Sequence, residues 1–78
     1  MKSEYDYMDL CNEIQTAANK AGLDYLIDID VNRQDAEFAY GQDNYYEVMC
    51  DCAIMFAVNR CEGEYNISLN DLLGRTVY

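Results

Sequence analysis

The segment YYEVMCDCAIMFAVNRC, residues 45–61, constrains this chain more than any other. Read as a strand, Cys50, Cys52, Ile54, Phe56 and Val58 alternate correctly, so apolar spacing alone does not decide its structure. Its length and its Ala, Met and Glu content favour a helix, and Asn44-x-x-Glu47 offers a capping pair at its start. On that helix Tyr45, Met49, Cys52 and Phe56 form one apolar face, and Cys50, Ile54, Ala57 and Cys61 form another. Only a strip around Glu47 and Asp51 stays polar. A helix apolar around its girth is buried on more than one side. The chain is 78 residues long, enough for one core, so everything else must be arranged around this segment. The expectation is that it lies between a sheet and either the first helix or a second copy of the chain, the latter giving a homodimer through Cys50, Ile54 and Ala57.

The remaining elements read as follows. Ser3-x-x-Asp6 has capping-box spacing, and Tyr7, Leu10, Cys11, Ile14, Ala17, Ala18 and Ala21 follow at helical intervals until Gly22. Tyr25–Val31 and Ala36–Tyr40 alternate apolar and polar residues around the polar stretch Asn32–Asp35, which predicts a β-hairpin. The natural register sets Val31 against Ala36, Ile29 against Phe38 and Ile27 against Tyr40. Tyr65, Ile67 and Leu69 alternate as a third strand, and Ser68-x-x-Asp71 opens a short helical turn before a loose end at Arg75–Tyr78. The predicted fold is a single α+β domain over 1–78. Its small antiparallel sheet, a β-hairpin plus a third strand, packs against two α-helices in the order α-β-β-α-β-short α.

That register places Asp30 opposite Glu37 on the outer face, with Asp28 and Asp35 beside them, although like charges across a strand pair are destabilising. A second stripe, Asp6, Asp9 and Glu13, runs along the outer side of the first helix. The acidity is general: fifteen Asp and Glu face five Lys and Arg, a formal charge of -10. Such a field keeps a protein soluble, and it also steers a basic partner into contact. Direct binding to nucleic acid or to an anionic membrane is disfavoured, because both require positive charge. A protein or ribonucleoprotein that itself binds nucleic acid fits, since carboxylates on a compact grid can occupy the Lys and Arg side chains kept for phosphates. Tyrosine, at eight residues, adds interface material, with Tyr46 and Tyr65 the expected contact members.

Chemistry is poorly served. The chain has no histidine, which excludes Ser-His and Cys-His nucleophile systems and zincin motifs. Its glycines are scattered at element ends, so no phosphate-cradling loop exists. Cys50 and Cys52 point about 200° apart on a helix of 3.6 residues per turn, so they cannot share a zinc ion there. Asp28-x-Asp30-x-Asn32 begins like a calcium loop, but Arg33 stands where that loop needs glycine and Ala39 where it needs a bidentate glutamate. The sequence therefore predicts a non-enzyme without metal or cofactor. The N-terminal stretch MKSEYDYMDL has no apolar run of the signal-peptide kind and no segment is long enough to span a bilayer, so the expected location is a cytoplasm, with Cys11, Cys50, Cys52 and Cys61 reduced.

A short, acidic, tyrosine-rich domain without catalytic residues, displaying YLIDIDVNRQDAEFAY, resembles the small phage-encoded inhibitors of host defence. These are the anti-CRISPR proteins and the DNA mimics that block restriction enzymes or uracil-DNA glycosylase. The resemblance implies blockade of a nucleic-acid-binding site on a CRISPR effector or a similar enzyme in the host cell cytoplasm. It implies contact through Asp28, Asp30, Asp35 and Glu37, with Asp6, Asp9 and Glu13 as a second patch.

Overall fold

The computed structural model describes residues 2–38 and 44–78. Among these residues four α-helices appear in chain order: α1 (Glu4–Lys20), α2 (Ile29–Phe38), α3 (Tyr45–Arg60) and α4 (Leu69–Leu73), with a π-helical turn, Cys61–Tyr65, extending α3. The predicted α+β fold is thereby overturned, because no strand occurs among the described residues. Residues 23–28 are irregular, and the hairpin's expected turn, Asn32–Asp35, lies inside α2. Ala39, Tyr40 and Gly41 of the expected second strand and break lie outside the described residues.

The physical reason for the change is visible in the side chains. Asp28 accepts a hydrogen bond from the Val31 amide (3.0 Å), and its own carbonyl accepts from the Asn32 amide (3.0 Å), which makes it the N-cap of α2. Asn32 and Ala36, four apart, then turn together into the core. Asn32 is fully buried, with its Nδ2 donating to the Tyr7 hydroxyl at 2.9 Å. A residue that reads as turn chemistry is thus a core polar group, and its partner is twenty-five residues away.

The long apolar segment is a helix as expected, and its environment is helical on both sides. α3 lies between α1 and α2. Towards α2 and the start of α1, Met49, Cys50 and Ala53 pack with Tyr7 and Ala36. Further along, Ile54, Ala57, Val58 and Cys61 pack with Ile14, Ala18, Leu26 and Leu69. Ala53, Ala57 and Ala18 are fully buried and small, which lets the helix backbones approach closely. Cys50, Ile54 and Ala57, the face proposed for a homodimer, are interior side chains of the single chain.

Past α3, Asn66 adopts the left-handed conformation (φ 57°), and the Ile67 amide reaches back to the Cys61 carbonyl at 3.0 Å. That bond ends the helix and points the chain towards α4, so Tyr65, Ile67 and Leu69 form a cap and a helix start where a third strand was expected. α4 is the predicted closing turn, and Gly74 (φ 72°) terminates it. The end of the chain is tied down. The Val77 amide donates to Asn70 Oδ1 (2.7 Å), the Tyr78 hydroxyl donates to Glu62 (2.6 Å), and Arg75 pairs with Glu13 on α1.

Candidate partner-binding surface

The fold sorts the predicted contact acids into two kinds. Asp6 belongs to the first kind: it closes the capping box with Ser3, accepting from the Ser3 amide (2.7 Å), and these bonds lower its pKa. Glu13 accepts two bonds from the Arg75 guanidinium, at 2.8 Å from Nε and 2.5 Å from Nη2, and Arg75 likewise holds the Glu13 carboxyl below its ordinary range. Asp28 is committed to the α2 cap. These three carboxylates have structural tasks that explain their presence without a partner.

Asp9, Asp30, Asp35 and Glu37 are of the second kind. All four are exposed, and none has a side-chain hydrogen bond or ion pair among the described residues. They do not form the single grid that a hairpin would have produced. Asp30 and Glu37 share one face of α2, two turns or about 10.5 Å apart along the axis, with Arg33 between them. Asp35 lies on another side of α2, within electrostatic reach of Cys52 on α3; burial, joined by the Asp35 and Asp51 carboxylates, pushes the Cys52 thiol up.

The α1 stripe is brought together as the spacing predicted, with Asp6 and Asp9 exposed and Glu13 half-buried. Asp6, Asp9 and Glu13 line a groove of about 430 Å³ between α1, α3 and the C-terminal segment, shared with Lys2 and Arg75. Arg75 pairs there with Glu13, while Asp9 stays unpaired among the described residues.

A second groove, of about 600 Å³, has the opposite character. Cys11, Asn12 and Gln15 of α1 form one wall, and Tyr25, Ile27, Asp28, Ile29 and Asp30 form the other. No Lys or Arg lines it. Tyr25 and Ile29 are 46% and 51% exposed. Tyr25 is nonetheless fixed: its ring stacks on Phe56 (centroids 6.4 Å apart) and carries the Arg60 guanidinium 4.6 Å above it. Sequence reasoning missed both residues as contact candidates because the hairpin register put Ile29 in the core; helical spacing would have done the same, since Ile29 falls on the face of Asn32 and Ala36, and its exposure follows from its place at the very start of α2.

Of the two tyrosines expected at an interface, Tyr46 is half-buried and meets Tyr45 edge-to-face at 5.2 Å. The Tyr65 hydroxyl accepts from the Asp24 amide (3.2 Å) and so pins the irregular segment to the π-helical turn. Its role in the fold is established by that bond.

Burial raises the pKa of all four cysteines, so each is a thiol at neutral pH and a weak nucleophile. Among the described residues no group of three or more His, Cys, Asp or Glu side chains is placed to hold a metal ion, and no helix is long and apolar enough to cross a membrane. Comparison with known proteins finds no match to a family model, a curated protein or a solved structure.

Proposed function

We propose that this chain is a non-enzymatic acidic inhibitor of the phage-encoded kind, which binds and blocks the basic nucleic-acid-binding surface of a host defence complex such as a CRISPR effector. The observation that carries the reading is the imbalance at the surface. Only two ion pairs, Arg75–Glu13 and Arg60–Glu64, occur among the described residues of a chain with a formal charge of -10, and Asp9, Asp30, Asp35 and Glu37 stand exposed without partners. An uncompensated field of this size costs the folded state self-repulsion and accelerates encounter with a cationic surface. A basic nucleic-acid site supplies the complementary charge, since phosphate contacts account for most of its nonspecific affinity.

The test is capture from bacterial lysate on the immobilised full chain, followed by challenge with excess duplex DNA. The expected result is a nucleic-acid-binding protein that is retained at ~50 mM salt, weakened steeply by ~200 mM, and displaced by the DNA. The double substitution Asp30→Lys with Glu37→Lys should reduce that capture while leaving the helical circular-dichroism spectrum intact. A captured protein that DNA leaves in place, or capture of the chain's own copies alone, would overturn the reading.

A further inference from the structure

We infer that the groove between α1 and residues 25–30 is the docking site for one segment of the basic partner, a stretch in which an arginine or lysine neighbours a large aliphatic side chain. This inference rests on the function proposed above and names the chemistry of its contact. Uncharged surface is unevenly distributed on this acidic molecule. On α1, Tyr5, Met8, Asn12 and Gln15 fall at helical spacing on one side, with Asp9 at the edge of the stripe and Asp6 and Glu13 further round the helix. Tyr5 and Met8 are 77% and 50% exposed. That uncharged stripe runs into the groove wall at Asn12 and Gln15, and across the groove it meets Tyr25, Ile27 and Ile29. Of the eight large apolar side chains exposed among the described residues, Tyr25 and Ile29 line this groove, and Tyr5 and Met8 continue from it along α1.

Charge selects the occupant. A second copy of the chain would bring another -10, whereas a cationic segment brings the complement. Within the groove only acids are charged, Asp28 and Asp30, and Asp30 has no partner among the described residues. The other groove, with Lys2 and Arg75 in its wall, lacks this selectivity. Tyr25 supplies the anchoring surface: an exposed ring already immobilised by Arg60 and Phe56 loses little side-chain freedom on binding. The aliphatic side chain seats against Tyr25, Ile27 and Ile29, and the cation reaches Asp30 at the rim. Apolar anchoring beside a charge contact is the composition of an interface hot spot.

The experiment titrates the full ¹⁵N-labelled chain with three short, end-blocked peptides at ~150 mM salt, where exposed charges are screened beyond about 8 Å. One peptide alternates arginine and leucine, the second replaces leucine with serine, and the third replaces arginine with glutamine. The arginine–leucine peptide should bind at least about tenfold more tightly than either control and shift the amides of Asn12, Gln15, Tyr25, Ile27, Ile29 and Asp30. Ile29→Ser, at a half-exposed position, should weaken that binding by about tenfold with the thermal midpoint preserved. Equal binding of the arginine–leucine and arginine–serine peptides, with shifts spread over Asp9, Asp35 and Glu37, would overturn the groove and leave the acidic-inhibitor reading standing. Absence of binding by all three peptides would also overturn it. Capture with Ile29→Ser then separates the two ideas: undiminished, DNA-displaceable capture rejects the groove alone, and wild-type capture that DNA cannot displace rejects the inhibitor reading itself.

Discussion

α1 and α3 are nearly equal in length, seventeen and sixteen residues, and are held in opposite ways. α1 carries its own instructions: a complete capping box at Ser3 and Asp6, one apolar face, and Lys20 in its last turn where a cation suits the helix dipole. Three of its residues are buried. α3 starts at Asn44, whose side chain makes no capping bond, and buries Met49, Cys50, Ala53, Ile54, Ala57 and Val58. Its helical state is enforced by neighbours, α1 on one side and α2 on the other. Local signals and tertiary burial can therefore deliver the same secondary structure, but they fail under different insults.

The strongest way to expose that difference is to put the same charge on both helices. Ala57→Glu places a carboxylate at a fully buried position and should cost several kcal/mol, enough to unfold a domain whose total stability is on the order of 5 kcal/mol. Thr16→Glu, on the exposed side of α1, should move the thermal midpoint little. Circular dichroism melts of the pair check this, and equal loss in both would refute the contrast.

Next in size is the buried bond joining α1 to α2. Tyr7→Phe leaves the Asn32 amide group without its partner and should cost about 1–3 kcal/mol in urea unfolding. Asn32 Oδ1 already lacks a partner, so adding Asn32→Leu should recover most of the loss; a double variant as weak as the single one would mean that packing, not hydrogen bonding, is the issue. The same site predicts an alkaline limit. Burial pushes the Tyr7 hydroxyl from 10.0 up to about 12. The folded state thus favours the neutral phenol, so this contribution is full below about pH 10 and is lost as pH rises through about 12. Tyr7→Phe should flatten the stability profile over that interval.

Smaller still are the helix starts. Ser3→Ala should cost about 1 kcal/mol, while Asn44→Ala, which removes no capping bond, should cost under about 0.5 kcal/mol. Acid adds a final distinction, because Asp6 and Glu13 both have lowered pKa values. Their contribution is present above the ordinary carboxylate range and disappears as pH falls through the depressed values. Hydrogen exchange at low pH should show the first turn of α1 and the Arg75 contact loosening together; an unchanged first turn would remove the capping box from the account.

The sequence makes α1 legible through its capping box and apolar spacing, and α3 through its length and composition; α3 and the closing turn also have capping-pair spacing, but neither Asn44 nor Ser68 makes a side-chain capping bond. It misleads over Tyr25–Tyr40, where alternation reads as a strand. Two facts decide that region, the Asp28 cap and the burial of Asn32 against Tyr7, and the second depends on a residue on another helix. The candidate surface divides along the same line. The α1 acids are collected by helical spacing alone, whereas the arrangement of Asp28, Asp30, Asp35 and Glu37 depends on secondary structure and changes completely when a hairpin becomes a helix. The ties of Arg75 and Tyr78 are also beyond reach from sequence, since they join residues 62 and 16 positions apart.

The segment from Tyr25 to Val31 keeps its alternating pattern although it is held as irregular chain and the first turn of α2. Each time α2 frays, that pattern is released from its native constraint. Short alternating apolar windows without proline are the material of cross-β stacks, in which identical residues repeat every ~4.7 Å along the fibril axis. Asp28 and Asp30 lie inside the window, so every added copy would stack carboxylate on carboxylate at that spacing. The acids that start a helix in the folded chain thus act as gatekeepers in the unfolded one. Neutralising them would endanger the protein's supply of soluble copies before it altered any contact made by the folded form.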